Sequence, residues 1–182
     1  TRTSAFAYHA TTGLLTQETV EPDQPALRLV TDYIYDAYGN KTRATVSGGD
    51  AVAGTAITAR STSTTYDSKG RFPVTTTNAL GHTETRTFDE RFGLAKSLTG
   101  PNALTTTWTY DGFGRKTQEV RADATQSNWS YTDCVSACGF AKYTITASAT
   151  GTTPVTTYYD SLNRAIRSVS TGFDGQLVYS DT

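Results

Sequence analysis

Short runs in which threonine alternates with an aromatic or aliphatic residue recur along the chain. The alternation is clearest in residues 105–110 (Thr-Thr-Thr-Trp-Thr-Tyr) and residues 143–146 (Tyr-Thr-Ile-Thr). A period of two is typical of β-strands, and β-branched and aromatic side chains fit the pleated surface of a sheet. The pattern predicts many short strands, and the scarcity of strong helix formers argues against a helical bundle.

A six-residue phrase follows several of these strands: an aromatic residue, aspartate, two variable residues, glycine, and a basic or amide residue. The predicted repeat-turn residues are Tyr35, Asp36, Gly39, Tyr66, Asp67, Gly70, Phe88, Asp89, Gly93, Tyr110, Asp111, Gly114, Tyr159, Asp160 and Asn163. Aspartate at the start of a turn accepts backbone hydrogen bonds, and glycine supplies the positive φ at its end. Asparagine tolerates the same conformation. Each copy therefore predicts a β-hairpin.

The spacing of the aromatic residues defines the repeat unit. Tyr66, Phe88 and Tyr110 are 22 residues apart, a length that fits two strands and two turns. With weaker copies included, we predict a single array of about seven degenerate repeats over residues 1–182. The chain lacks methionine, so we expect it to be a fragment of a larger protein. Residues 47–54 and 147–154 break the rhythm and are predicted to be inserted loops.

The phrase Tyr-Asp-x-x-Gly-Arg at this spacing resembles the YD repeat of the RHS family. Residues 88–94 followed by 99–102 (Thr-Gly-Pro-Asn), and residues 172–175, look like variants of it. The resemblance covers nearly the whole chain. It implies an all-β fold in which serial antiparallel hairpins form a curved sheet, a segment of a hollow β-shell. Shells of this kind occur in bacterial polymorphic toxins, the B and C components of insecticidal toxin complexes, and the teneurins.

The resemblance also implies a function. In bacterial members the shell encloses a C-terminal toxic domain, so the expected role is that of a non-catalytic structural segment that encapsulates this domain and helps deliver it. The expected partners are the remainder of the parent shell and its toxin cargo. The expected location is secreted or at the bacterial cell surface. Open strand edges of such a segment further predict that the isolated chain self-associates or is capped by a terminal segment.

The charge balance limits the choice of partners. The chain has 16 Lys and Arg against 17 Asp and Glu, a net charge of −1, whereas a phosphate backbone needs a basic surface. We therefore predict no nucleic-acid partner. The longest nearly apolar stretch, residues 51–57, is far shorter than the about 20 residues of a transmembrane helix, so we expect no membrane insertion by this segment.

The repeat aspartates are the first candidates for chemistry. They occupy one repeated position, whereas a catalytic pair of carboxylates is a singular arrangement. A repeated position calls for a repeated structural cause, which is the turn. We therefore predict no enzyme activity, no catalytic residue and no cofactor.

The cysteines leave two alternatives open. Cys134 and Cys138 are separated by three residues, whereas zinc sites usually combine C-x2-C pairs with further ligands. The two histidines of the sequence, His9 and His82, belong to different repeats, so no metal site is predicted. A disulfide at a hairpin tip and a pair of reduced thiols both fit the spacing.

The aromatic residues allow a second function. Their first interpretation is packing between strands. Flat rings also stack on sugar rings, and Trp108 and Trp129 are the candidate contact residues, with Tyr38 and Phe113 beside them. The alternative is therefore a secreted or cell-surface module for carbohydrate binding or adhesion.

Overall fold

The computed structural model describes residues 2–49, 54, 56–136 and 138–181, and every regular element in them is a β-strand. The strands are β1 (Ser4–Tyr8), β2 (Leu15–Val20), β3 (Leu29–Tyr35), β4 (Lys41–Gly48), β5 (Ile57–Tyr66), β6 (Pro73–Thr77), β7 (Thr83–Asp89), β8 (Leu94–Thr99), β9 (Thr105–Tyr110), β10 (Lys116–Val120), β11 (Gln126–Asp133), β12 (Tyr143–Ala149), β13 (Val155–Tyr159), β14 (Ala165–Thr171) and β15 (Leu177–Asp181). Their order in the sheet is their order in the chain. The predicted all-β fold of serial antiparallel hairpins is confirmed. Within the described ranges, no helix is long and apolar enough to cross a membrane.

The chain divides into two compact units. One comprises Thr1–Phe88 and Thr99–Ala103, and the other comprises Asp89–Leu98 and Leu104–Thr182. Strands β1 to β6 lie wholly in the first unit, and strands β9 to β15 lie wholly in the second. The single array over residues 1–182 stays a prediction.

The hairpins that close with the repeat turn share an irregularity beside it. The register between paired strands shifts at Tyr8, Tyr35, Tyr66 and Tyr159, each the last aromatic residue before a turn. A turn that ends in a left-handed residue adds one residue to the return strand, which creates a β-bulge. The local conformation of the turn therefore sets the register of the hairpin.

Threonine forms ladders across neighbouring strands. Thr65, Thr75 and Thr85 are in register on β5, β6 and β7, and the Oγ1 atoms of Thr77 and Thr83 lie 3.0 Å apart. Hydroxyl pairs of this kind stabilise neighbouring strands without a hydrophobic core. They explain how a chain with 37 threonines forms a sheet.

The predicted inserted loops are shorter than expected. Strand β4 continues through Ser47 to Gly48, and β12 continues through Ala147 to Ala149, so part of each segment is strand. These residues stay in register because the partner strands β5 and β13 extend beside them. Residues 50–53 of the first segment, and residue 55 just after it, lie outside the described residues.

Burial is partial nearly everywhere. Among the described residues no large side chain is fully buried, and the buried class contains Ala141, Ser127 and Asp160. The chain exposes 12112 Å², whereas a compact folded protein of 19.6 kDa exposes about 8,600 Å². Stability must therefore come from contacts between neighbouring strands, as in other repeat proteins.

Candidate functional site

The turn after β9 shows how a repeat turn closes. The Asp111 N–H donates to Arg115 O (2.9 Å), and the Gly114 N–H donates to Asp111 O (3.1 Å). The side chain of Asp111 completes the turn, because Oδ1 accepts from the backbone N–H groups of Phe113 and Arg115, both at 2.9 Å. Its Oδ2 accepts from Arg115 Nε at 2.7 Å. One carboxylate thus satisfies three donors.

The same cap recurs at the other copies of the repeat. Asp36 Oδ1 accepts from the N–H groups of Tyr38 and Asn40, both at 2.9 Å, and Asp160 Oδ1 accepts two backbone N–H groups at 2.8 and 3.0 Å. The residues in the glycine position all have positive φ: Gly39 (84°), Gly70 (66°), Gly93 (68°), Gly114 (79°) and Asn163 (58°). The predicted turn residues therefore lie together at each hairpin end, and they do not converge on one pocket.

Two further turns use related chemistry. Asn78 Oδ1 accepts from the N–H groups of Leu80 and His82, in the turn between β6 and β7. The turn between β10 and β11 was missed by the sequence analysis, because Ala124 stands where glycine is expected and adopts a φ of 64°. The available signal was Asp123, whose Oδ1 accepts from a backbone N–H two residues later at 2.9 Å.

Each of four caps also pairs its aspartate with an arginine. The distances from a guanidinium nitrogen to a carboxylate oxygen are 3.3 Å for Arg71–Asp67, 2.8 Å for Arg91–Asp89, 2.7 Å for Arg115–Asp111 and 2.7 Å for Arg164–Asp160. Hydrogen bonds from the Arg91 side chain, and then from its backbone, hold the pKa of Asp89 to about 2. For Asp160 the backbone N–H of Arg164 is the leading cause of a lowered pKa.

At the other caps, desolvation is the largest single influence and raises the carboxyl pKa, but the hydrogen bonds together outweigh it. The pKa values of Asp36, Asp67 and Asp111 are therefore lowered. In every case the folded state favours the ionised carboxylate, because only the ionised form accepts all the donors of the turn.

Acid is expected to weaken the fold through these caps. Their pKa values are lower in the folded chain than in the unfolded chain, so their contribution is complete above about pH 5 and declines as the pH falls towards about 2. Thermal unfolding at pH 6, 4.5 and 3 should give a Tm that decreases with pH. The decrease in Tm should be smaller for the Asp89→Asn variant than for the wild type. Equal Tm values at pH 6 and pH 3 would contradict this role of the caps.

The aromatic residue before each aspartate joins its hairpin to the preceding one. In three copies the tyrosine hydroxyl donates to a backbone carbonyl at the start of the preceding return strand, and Tyr131, which stands two residues before Asp133, makes the same contact. These contacts are Tyr35–Leu15 (2.8 Å), Tyr66–Lys41 (3.4 Å), Tyr110–Ala95 (2.7 Å) and Tyr131–Lys116 (3.0 Å). We call this contact the tyrosine latch. Burial is the largest cause of a raised pKa at Tyr110.

Two copies replace the latch by ring stacking. Phe88 has no hydroxyl and stacks on Phe72, with ring centroids 4.9 Å apart and planes at 14°. Tyr159 stacks on Tyr143 at 4.9 Å and 4°. At these copies the aromatic position thus contacts a neighbouring hairpin by a hydrogen bond or by a ring face, whereas Phe173, before Asp174 in the variant copy at residues 172–175, is fully exposed.

Glycine at the turn end also serves a contact between hairpins. The Tyr38 ring lies against Gly70 so closely that a Cβ atom there would be 2.5 Å from Cγ of the ring. The Tyr38 hydroxyl donates to Ser68 O (3.2 Å), and Asn40 Nδ2 donates to Gly70 O (2.7 Å). This turn therefore requires glycine for its φ and for the approach of the neighbouring ring.

A second turn repeats this approach in the other unit. The Phe92 ring lies beside Gly114, where an added Cβ would be 3.1 Å from Cδ1 and from Cγ. The contact again runs from the apolar side chain of one turn to the glycine of the next turn. We call it the ring–glycine contact.

The tryptophans take part in a polar cluster on β9 to β11. Glu119 accepts from Trp108 Nε1 (3.1 Å) and from Lys116 Nζ (3.0 Å), and it pairs with Arg121 (3.1 Å). The hydrogen bond from Lys116, followed by that from Trp108, lowers the pKa of Glu119. Lys116 Nζ also lies 4.5 Å above the Trp129 ring. Both indoles are half-buried and already have partners.

The two cysteines are joined in the structure. Cys134 and Cys138 form a disulfide with Cα atoms 5.9 Å apart, and the Cys134 N–H donates to Lys142 O at 2.8 Å. Their oxidation state in solution stays a prediction. No group of three or more His, Cys, Asp or Glu side chains in the described part of the chain is placed to hold a metal ion.

Comparisons with known proteins agree with this geometry. The RHS repeat family model matches residues 88–126, which contain the Phe88 and Tyr110 turns. The match confirms the resemblance to RHS/YD repeats over these residues. No curated protein matches the sequence significantly.

Solved structures show the same fold at low identity. A crystal structure of TcdB2-TccC3-TEV has a TM-score of 0.59 at 15% identity and covers 92% of this chain. A crystal structure of TcdB2-TccC3 has a TM-score of 0.50 at 14% identity and covers 93%. The Photorhabdus luminescens Tc holotoxin pore has a TM-score of 0.49 at 13% identity and covers 93%. The first two matches cover 9% and 10% of those chains, so this chain spans about a tenth of their length. Together with the family match, the likeness supports a structural repeat segment.

Proposed function

We propose that this chain is a non-catalytic wall segment of an RHS/YD-repeat toxin shell, which encloses a toxic domain and helps to deliver it. The observation that carries the proposal is the double use of each repeat turn. The aspartate closes its own hairpin, and the aromatic residue before it contacts a neighbouring hairpin. These residues therefore have an architectural role at each copy, and a reaction is not needed to explain them.

The partners of such a segment are the rest of the parent shell and its toxin cargo, and its place is outside the producing bacterium. The low burial of the described side chains supports this, because a sheet without a core of its own gains from further surfaces against it. The match covers about a tenth of the chain in the solved structure, which also fits one section of a longer wall.

The absence of catalysis is tested directly. The purified chain is expected to show no turnover with panels of hydrolase and nuclease substrates. Reproducible turnover that a single substitution abolishes, while the far-UV spectrum is unchanged, would overturn the non-catalytic role.

Enclosure is tested in the protein expressed from the complete natural reading frame. The segment encoded after this chain should resist trypsin, and Tyr110→Ala should increase its cleavage roughly tenfold, because proteolysis follows the population of opened states. Leu80→Ala, at a side chain that is 80% exposed, is the matched control and should cleave like the wild type. Equal cleavage of all three proteins would refute enclosure by this wall.

The isolated chain is expected to self-associate through its edge strands. Strands β1 and β15 end the sheet, and they expose Phe6 (52%) and Val178 (53%) beside unpaired backbone groups. Light scattering should show a mass that increases with concentration, and Phe6→Lys combined with Val178→Lys should shift the protein towards the monomer. A monomer at every concentration in the wild type would contradict this.

Carbohydrate binding is the second candidate, and a groove beside Trp129 favours it. The groove has a volume of about 440 Å³ and is lined in part by Ser127, Ala147 and Val155. A glycan array tests it: specific binding that is lost in Trp129→Ala with the fold intact would support this role. Glycan binding that is unchanged in Trp129→Ala would exclude this groove as the carbohydrate-binding site.

A further inference from the structure

The connection between β11 and β12 is closed differently from the turns after β9 and β13. In those turns the Oδ1 atom of Asp111 or Asp160 accepts two backbone N–H groups. The connection after β11 follows Asp133, whose carboxylate accepts no hydrogen bond from any of the described residues. The disulfide between Cys134 and Cys138 spans this hairpin end instead. We call residues 134–142 the disulfide loop, and its covalent bond stands where the other turns have an aspartate cap.

The backbone hydrogen bonds of the disulfide loop begin or end beside the disulfide. The Cys134 N–H donates to Lys142 O at 2.8 Å. The Ala141 N–H donates to Cys138 O at 3.1 Å, and Ala141 is only 4% exposed. The Lys142 N–H donates to Tyr159 O at 2.7 Å, which joins the loop to β13. Two of these three bonds therefore depend directly on the positions of the two cysteines.

The disulfide loop also forms one side of a groove. Cys138, Gly139 and Phe140 line a volume of about 380 Å³ together with side chains of β13, β14 and β15. Phe140 is 90% exposed and Val135 is 95% exposed, so the large apolar side chains of the loop bury little surface that would hold it in place. The position of this side of the groove therefore depends on the disulfide and on the backbone hydrogen bonds beside it.

We propose that the disulfide is a redox switch, which orders the disulfide loop when it is oxidised and releases the loop when it is reduced. The step is thiol–disulfide exchange with a small dithiol: one thiolate attacks a sulfur, the S–S bond breaks, and the second thiolate resolves the mixed disulfide. Cys134 and Cys138 gain two electrons and two protons, and the dithiol loses them. Val135 and Ser136 between the cysteines are exposed, so a small thiol reagent can reach the bond.

The switch distinguishes two kinds of surroundings. Disulfides persist in oxidising compartments, whereas thiol-rich compartments favour the reduced form. Because no aspartate caps this hairpin end among the described residues, reduction leaves only backbone hydrogen bonds to hold it. The inference goes beyond the proposed function and does not rest on it, since it concerns the order of one hairpin end whatever the sheet encloses.

Amide hydrogen exchange of the full chain, measured by NMR with and without an excess of a small dithiol, provides the test. Exchange of the Cys134, Ala141 and Lys142 amides should accelerate at least about tenfold on reduction, because opening a short closed loop gains chain entropy of about that size. The Gly114 amide, which donates to Asp111 O in a turn capped by hydrogen bonds, is the internal control and should keep its rate. Reoxidation should restore slow exchange.

Two variants separate the disulfide from other effects of the reagent. Cys134→Ser combined with Cys138→Ser should exchange these amides at the fast rate with and without the dithiol. Ser136→Ala, at an exposed side chain of the same loop, keeps both cysteines and should respond to the dithiol like the wild type. Alkylation followed by mass spectrometry should find both cysteines unmodified before reduction and modified after it.

Three outcomes would overturn the inference. In the first, both cysteines are alkylated before reduction, so there is no disulfide to switch. In the second, the loop amides exchange equally fast in both redox states. In the third, reduction accelerates the Gly114 amide as much as the loop amides, which is a general loss of stability and not a local opening. Each of these outcomes leaves the wall proposal standing, whereas enzymatic turnover of the chain would refute the wall proposal without affecting the switch.

Discussion

Gly70→Ala is expected to lower the free energy of unfolding by about 2–4 kcal/mol. A side chain at a φ of 66° costs about 1–2 kcal/mol, and the added Cβ must displace the Tyr38 ring, at a further cost of about 1–2 kcal/mol. Urea unfolding followed by far-UV circular dichroism measures the change. Tryptophan fluorescence is less suitable here, because both tryptophans lie in the other unit.

Two variants separate these contributions. Gly81 has a similar φ of 80°, but an added Cβ would meet nothing within 4 Å, so Gly81→Ala should cost about 1–2 kcal/mol. In a Tyr38→Ala background, the loss in free energy of unfolding caused by Gly70→Ala should decrease to the loss caused by Gly81→Ala in the wild-type background. If Gly70→Ala and Gly81→Ala cost the same in the wild-type background, the ring–glycine contact has no energetic importance.

Tyr110→Ala is expected to destabilise the second unit by about 3 kcal/mol, since it removes a packed ring together with the latch. Tyr110→Phe removes only the hydrogen bond to Ala95 O and should cost about 1 kcal/mol. Urea unfolding followed by tryptophan fluorescence reports this, because Trp108 lies on the same strand two residues before Tyr110.

Tyr8→Ala is the matched control for the latch. Tyr8 has the same place in the repeat, but it is 61% exposed and its hydroxyl has no acceptor among the described residues. Its loss should cost less than about 0.5 kcal/mol, as for ordinary surface substitutions. A Tyr8→Ala variant as unstable as Tyr110→Ala would show that the ring matters only within its own hairpin.

The fold class and most turns could be predicted from local patterns. A turn such as Asp111 to Arg115 is closed by groups within five residues of each other, so aspartate, glycine and their spacing are enough to locate it. The exception is the turn that contains Ala124. Ala124 has a φ of 64°, and no glycine marks this turn in the sequence.

The contacts of the aromatic residues could be predicted only as packing in general. The latch from Tyr110 reaches Ala95, 15 residues earlier, and the ring of Tyr38 lies against Gly70, 32 residues later. Such pairs depend on the register between strands of different hairpins, and that register follows from the bulges. The sequence likewise could not predict that Glu119 accepts a hydrogen bond from Trp108 and that Lys116 lies over one face of the Trp129 ring.

The amino-acid sequence by itself determined the positions of the hairpin turns. Each turn is a local arrangement of an acidic residue and a residue with positive φ, and it follows a strand of alternating threonines. The tertiary structure alone decided which hairpins contact each other and with which atoms. The physical reason is that backbone capping acts within a few residues, whereas the latch and the ring–glycine contact act between strands whose register the whole sheet sets.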